Sequence, residues 1–513
     1  MPAADPINLQ LDELHVVSDL HLGGKAGFQI FASGPELAWL ARSVATSAAA
    51  GTAALLINGD FIDFLAEEPK AGFDPVGAAS KVRRVLADPA FTPVFDALRE
   101  LLATPRRRLI VNLGNHDLEL ALPWVREPLT QALCGQDDAA RARLLWLTNG
   151  TGVRCQVGAA QVLCVHGNEI DAWNVTDHEH LRRLTRDLQF GLPPEPWMPN
   201  AGSQLVVEVM NQIKASYPFV DLLKPETQAV VPILTALNPA LWARMKALGD
   251  VAARVAADSA RLATGMLGAD GATAAQGGQG GQGAFGGAAG GMAPFALPMA
   301  WPGASTPAES AAALLAQAEQ AFSDGIEPIS LVRGQQADQL GFWSAAWDLL
   351  RGKSRAEVLR DALEFLDKDT SFDPGASDDT FKQLDARIAP EIDLLLAGHT
   401  HLARSLPRSR GGQYFNSGTW AGLMRITPEI RRDPVAFDKV FKRLGNPDMA
   451  SLENPAPGEP RLLMRLNTVV SIWVDGNQAT QAELRGVQAS TVGGTTRYQA
   501  VPVAGTRYTQ PKP

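Results

Sequence analysis

The chain has 513 residues, is 46% hydrophobic and carries a formal net charge of −9. That length accommodates one large domain plus a substantial insertion or second domain, and the acidic balance argues against a generally basic nucleic-acid-binding surface. The three cysteines, Cys134, Cys155 and Cys164, give no disulfide framework; no stretch approaches the roughly 20 apolar residues of a membrane span, and the opening MPAADPINLQ lacks a basic segment followed by an apolar core. A cytoplasmic protein without a transmembrane segment is expected.

In chain order, the first predicted element is a strand at Leu14–Val17, followed by SDLHLGG with Asp19 and His21. Ala54–Ile57 leads into NGDFID with Asp60 and Asp63, and Leu109–Leu113 leads into GNHD, Asn115 to Asp117. Val162–Val165 ends at His166 in VHGN. These runs are short, apolar and partly β-branched, as strands buried on both faces should be. Cys164, in the last of them, reads as a buried inert thiol.

From Trp173 to Asp385 the pattern is mainly helical. Leu241, Trp242, Met245, Leu248, Val251 and Val255 recur at helical spacing, and Phe342, Trp343, Trp347 and Leu350 form a similar face. Between them Gly271–Pro307 is dense in glycine and reads as a flexible loop. Ser354 with Glu357 resembles a capping box opening a helix that carries Val358, Leu359, Ala362, Leu363 and Leu366. YPFVDLLKPE, Tyr217–Glu226, fits either packing within the helices or lining an entrance. The small basic clusters Arg106–Arg108 and Arg182, Arg183 and Arg186 read as solvated faces.

Ile392–Leu396 is the fifth strand and ends in GHTH, with His399 and His401. Tyr414–Trp420, Leu462–Val474 and Gln478–Leu484 read as further strands, and residues 491–513 as a frayed tail. A lone Asp-x-His is more often a surface pair. Five of the eight histidines, however, fall inside these segments. In sheets of this kind the binding crevice lies beyond the carboxyl ends of the strands, so five strands ending in polar residues converge on one site.

The ordered series DxH, GDxxD, GNHD, H and GHxH resembles the calcineurin-like metallophosphoesterase superfamily, over residues 12–175 and 385–485. The resemblance implies a four-layered α/β/β/α sandwich, divided into a first core part at 1–172, a helical insertion or cap at 173–384 and a second core part at 385–490. It implies two metal ions: Asp19, His21, Asp60 and His401 at the first, with Asp60 bridging to a second completed by Asn115, His166 and His399. Imidazole and carboxylate ligands suit manganese, iron or zinc, in divalent or mixed-valence pairs. His116 is expected to face the phosphate as a catalytic group, with Asp117 fixing its tautomer and raising its pKa. Asp63 and Asp171 are expected to accept hydrogen bonds from ligand histidines.

The activity so implied is hydrolysis of a phosphodiester or phosphomonoester by metal-bound hydroxide, without a covalent intermediate. SDLHLG, GDFIDF and GNHD differ from the GDxHG, GDxVDRG and GNHE of the protein phosphatases. The opening is similar to two other branches, the double-strand-break nucleases and the UDP-2,3-diacylglucosamine hydrolases; the latter cleave a pyrophosphate and typically have Arg where His116 stands. Small-molecule or lipid-like phosphorylated substrates are therefore favoured over nucleic acid, with a non-catalytic scaffold of the same fold as the alternative outside enzymes.

Overall fold

The computed structural model describes residues 9–47, 51–171, 173–224, 226–238 and 354–510. The five apolar runs form strands at Glu13–Val17, Ala53–Asn58, Arg107–Asn112, Ala160–Cys164 and Leu394–Ala397. The first three run parallel in one sheet, extended by Leu144–Leu147 on one side and by antiparallel Thr468–Val474, Thr480–Val492 and Thr495–Pro502 on the other. Parallel neighbours need crossover connections, and helices Gly34–Ala45, Ala78–Ala87, Thr92–Ala103 and Pro123–Cys134 lie in those connections. Ala160–Cys164 and Leu394–Ala397 are parallel neighbours in the second sheet. That sheet has the order Leu9–Leu11, Val153–Val157, Ala160–Cys164, Leu394–Ala397, Gln413–Asn416, Arg404–Pro407.

Alternation of side chains sets the layers. Leu14, Val16, Ala54, Leu56 and Ile110 meet Val162, Cys164, Leu394, Leu396 and Phe415 between the sheets. Val17, Leu55, Ile57, Leu109 and Val111 point the other way into the helices. Leu395 and Ala397 turn outward to Leu384 of helix Asp379–Arg387. The architecture is the expected α/β/β/α sandwich. Burying each such Leu or Ile stabilises by about 1.5–3 kcal/mol, and a one-residue slip would invert every side chain, so the register at the strand ends is firmly set. Between the sheets burial pushes the Cys155 thiol up to about 12 and that of Cys164 well above its ordinary value, with Cys155 itself adding to the latter shift, as inert thiols require.

The helical layer beside the sandwich draws on segments before and after the fifth motif: Phe219, Val220, Leu222 and Leu223 are packed with Met424, Phe437, Val440, Leu444 and Leu452. The last four of these lie in or beside helices Pro434–Gly445 and Met449–Glu453, after the fifth motif. Phe437, Val440, Phe441 and Leu444 carry the helical spacing that announces this element. Of the aromatic segment, Phe219, Val220, Leu222 and Leu223 thus belong to a core, with Tyr217 packed against it. One expectation is corrected: residues 491–510 do not fray. Thr480–Val492 and Thr495–Pro502 form a hairpin through Gly493 and Gly494, both at positive φ, and Tyr508–Thr509 pairs back onto it. A two-residue glycine turn of this kind matches the twist of the strands it joins.

The capping box is present: Ser354 Oγ accepts from the Glu357 amide at 3.3 Å and Glu357 Oε2 accepts from the Ser354 amide at 2.8 Å, opening helix Arg355–Ala362. The stripes at 241–255 and 342–350 and the glycine-rich Gly271–Pro307 lie outside the described residues.

Candidate metal centre and active site

All five motif segments follow the carboxyl ends of their strands, and the backbone there is bent hard. Eight non-glycine residues among those described have positive φ, and five of them are Asp19, His21, Asp60, His399 and His401. Such conformations cost of order 1–3 kcal/mol each and persist where surrounding structure over-determines them. Two motif glycines permit the approach of the loops. A Cβ on Gly59 would lie 2.2 Å from His166 Nδ1, and one on Gly114 would lie 2.1 Å from Asp60 Oδ1.

Among the described residues the donor atoms converge in three overlapping groups: Asp19, His21 and His401; His21, Asp60 and His116; and Asp19, Asp60 and His166. His21 Nε2 lies 3.1 Å from His401 Nε2, and His401 Nε2 lies 3.4 Å from Asp19 Oδ1. Asp60 Oδ2 lies 3.3 Å from His166 Nε2 and 3.7 Å from His21 Nε2. Ligands about 2.1 Å from one ion stand about 3.0–3.5 Å apart, so these spacings suit atoms that share a cation. Asp60 Oδ1 accepts from the His116 amide at 2.9 Å, which turns Oδ2 toward the histidines on both sides.

The unsatisfied atoms agree with that fit. His166 Nδ1 is 2.8 Å from the carbonyl of Asn58, to which it donates, leaving the buried Nε2, beside Asp60, without a hydrogen-bond partner among the described residues. Asn115 Oδ1 is also buried without one. A buried acceptor left unpaired costs roughly 1–3 kcal/mol, a penalty that a cation would remove. The donors therefore fit a metal centre of nitrogen and oxygen ligands.

Charge balance follows the same geometry. Burial opposes ionisation of Asp60, but His166, His116 and His21 outweigh it and hold the carboxyl well below its ordinary range. Asp19 is likewise lowered, against burial, by His401 and His166. Burial works against a charged His166, yet Asp60 and Asp19 raise it to about 10. His401 is pushed down to about 4, first by burial and then by the Lys224 ammonium, which favours a free ring lone pair.

His116 is partnered differently from expectation. Its Nδ1 stands 3.2 Å from Asp63 Oδ1, whereas the Asp117 carboxylate, fully buried, accepts from the amides of Gly114 at 2.7 Å and Phe61 at 2.8 Å. Asp117 thus ties the third motif loop to the second, and Asp63 is the carboxylate against His116. Desolvation alone would lower the His116 pKa; Asp63 and Asp60 overcome it and raise it to about 9. Asp117 itself is raised to about 7 by burial and by Asp60. The His116 side chain is 19% exposed where that of His21 is 2% and that of His166 is 0%. His116 is therefore the more solvent-facing ring, although it also falls within a candidate ligand group.

Asp63 Oδ2 is 3.4 Å from His21 Nδ1, and Asp171 Oδ2 accepts from His399 Nε2 at 2.8 Å. His399 lies outside the three ligand groups but packs edge-to-face against His166, with ring centres 5.4 Å apart. Several supporting residues escaped sequence reading. Thr419 Oγ1 donates to the Asp19 carbonyl at 2.7 Å, Glu169 accepts from the His166 and Gly167 amides, and Asn174 joins Asn115 to Asp171. Glu169 lies three residues beyond the motif histidine, a position a closer look at HGNE could have raised; Thr419 and Asn174 are brought in by folding.

Comparison with known proteins agrees with the fold. The family described as calcineurin-like phosphoesterase matches residues 14–227, which takes in the first four motifs and stops short of His399 and His401. That match covers under half of the chain and shows a calcineurin-like phosphoesterase domain at residues 14–227. A search of curated proteins returns no match.

Proposed function

We propose that the protein is a two-metal phosphoester hydrolase, acting on a phosphodiester or phosphomonoester. Asp19, His21, Asp60 and His401 would hold one ion, and Asp60, Asn115, His166 and His399 the other. The observation that carries this reading is Asp60: one carboxylate oxygen is locked by an amide, and the other faces His21 and His166. Metal ions bound there would supply Lewis acidity toward a phosphate oxygen and acidify water.

The protein's own part is positional and electrostatic. Asp63 holds Nδ1 of His116, so Nε2 is the ring atom left to meet substrate, and the carboxylates of Asp63 and Asp60 beside the ring favour its protonated form. His116 Nε2–H then stabilises charge growing on the phosphate or gives its proton to the leaving oxygen. The described parts of the insertion, 173–224, 226–238 and 354–384, act as a cap on this reading, supported by Asn211, whose Nδ2 donates to the Leu65 carbonyl at 3.1 Å, two residues beyond Asp63.

A pyrophosphate ester is the second reading. The insertion brings the buried Lys224 close enough for its field to reach His401, while the Lys214 ammonium, whose field reaches Asp63, is paired with Asp221. The positive field of Lys224 beside the site would favour an additional substrate phosphate. Manganese-loaded protein assayed against aryl phosphomonoesters, aryl phosphodiesters and a nucleotide pyrophosphate separates the readings. Full metal loading with no turnover of any of them would overturn the enzymatic assignment and leave a scaffold.

A further inference from the structure

Lys81 lies on helix Ala78–Ala87, behind the active-site loops, and is wholly buried. Burying an ammonium is expensive unless it is paired, and an apolar residue at such a place is often as good or better for stability. The position of its head group is therefore informative. Nζ donates to the carbonyl of Phe64 at 3.3 Å and lies 3.7 Å from Asp74 Oδ2. The Phe64 amide in turn donates to the carbonyl of His116 at 3.2 Å. Phe64 directly follows Asp63, the carboxylate against the His116 ring.

The same cluster reaches the third motif loop from its far end. Asp74 gives its amide to Glu119 Oε1 at 2.9 Å, and Glu119 is 2% exposed, two residues after Asp117. Its Oδ1 accepts from the Gly77 amide at 2.7 Å at the start of the lysine's own helix. One buried ammonium and its carboxylate partner thus join three segments: the loop carrying Asp63, the loop carrying His116 and Asp117, and the helix that supports both.

We propose that Lys81 is a positioning residue, which holds the Phe64 peptide and through it fixes the Asp63–His116 pair toward the substrate phosphate. The proposal rests on the phosphoesterase reading above. It predicts an effect on turnover through His116 and none on metal binding, because no donor of the three ligand groups touches the ammonium.

The test combines Lys81→Met, His116→Ala, the double variant and Val85→Ala, a core truncation on the same helix whose apolar side chain makes no hydrogen bond to the Phe64 carbonyl. Lys81→Met is expected to keep full metal content and KM within about twofold while kcat falls at least about tenfold, the scale on which misplacing a catalytic group by a fraction of an ångström acts. Val85→Ala should lose stability without that loss of kcat. In the His116→Ala background Lys81→Met should cause no further loss, since groups acting as one unit are not additive. Losses that multiply, kcat within twofold of wild type, or metal lost in step with activity would each overturn the proposal.

A readout independent of turnover uses zinc-loaded protein. The His116 ring nitrogens, observed by 15N NMR, should show one ordered environment in wild type and Val85→Ala and a shifted or broadened one in Lys81→Met. An unchanged His116 signal would sink the inference even if no substrate is turned over, whereas a changed signal in a protein without activity would sink only the hydrolase reading. If Lys81→Met does not fold, Asp74→Asn, which removes the carboxylate charge beside the ammonium while keeping an oxygen for the Gly77 amide, should displace the His116 signal in the same direction; no displacement would overturn the proposal.

Discussion

Replacing Gly59 by alanine would place a Cβ 2.2 Å from Nδ1 and 2.5 Å from Cγ of the His166 ring, with the backbone held at φ +89°. Two effects follow and can be separated. The backbone strain of a left-handed residue is roughly 1–2 kcal/mol. Pushing the ring away breaks the buried 2.8 Å bond from His166 to the Asn58 carbonyl, a loss of about 1–3 kcal/mol. Together they predict roughly 2–5 kcal/mol, a large part of the stability of an ordinary domain. Gly27 is the matched control, at φ +86° with nothing within 4 Å of its Cβ position. Gly27→Ala should therefore lose only the strain. Urea unfolding of both variants without metal measures the difference, and metal analysis after loading measures the fate of the His166 site. Gly59→Ala should unfold at lower urea than Gly27→Ala and bind less metal. Equal unfolding midpoints together with equal metal content would refute the claim that the glycine exists to admit the histidine.

Asp60→Asn should lower both metal occupancy and hydrolysis, because an amide cannot supply the charge shared between two cations; metal analysis and turnover under identical loading check it, and normal values for both would remove Asp60 from its bridging place. His116→Ala should keep its metal yet lose about 10²–10⁴-fold in kcat, and loss of metal instead would make His116 a ligand, as its place beside His21 and Asp60 would allow. Glu119 is raised to about 7 by burial, from an ordinary 4.5. A carboxyl whose folded pKa lies above its unfolded value stabilises fully below about pH 4.5 and loses that contribution as pH rises through 7, a change of about 3 kcal/mol. Glu119→Gln should accordingly be more stable than wild type at pH 8 and close to it at pH 4.5, as read from urea midpoints; a greater relative gain at the acid end would contradict the sign.

How much of this was legible in the sequence differs from element to element. The five strands and the polar residues that end them are local patterns: a short apolar run followed by Asp, His or Asn beside glycine states its own conformation, and the parallel sheets then bring those ends together. The capping box at Ser354 and Glu357 was readable for the same reason, since its two hydrogen bonds join residues three apart. Pairings between distant residues were not. Asp117 is next to His116 in the chain, yet neighbouring side chains leave a turn in different directions, and Asp63, 53 residues away, holds the ring while Asp117 turns to the amides of Gly114 and Phe61.

The C-terminal hairpin failed to announce itself because threonine, glycine and proline look like a tail until a partner strand lies beside them. Its Thr480–Val492 arm finds that partner in Thr468–Val474, which pairs in turn with Glu13–Val17 at the other end of the chain. The left-handed backbone at Asp19, His21, Asp60, His399 and His401 has no composition that marks it in advance, because it is imposed by the loops packed around those residues rather than chosen by them. Sequence alone pointed to candidate metal ligands and to the strands that deliver them, and the donor groups of the structure take in five of those residues, leave His399 outside and add His116. Only the tertiary structure decided which carboxylate faces which histidine, and it did so through contacts whose energies depend on burial and on residues hundreds of positions apart.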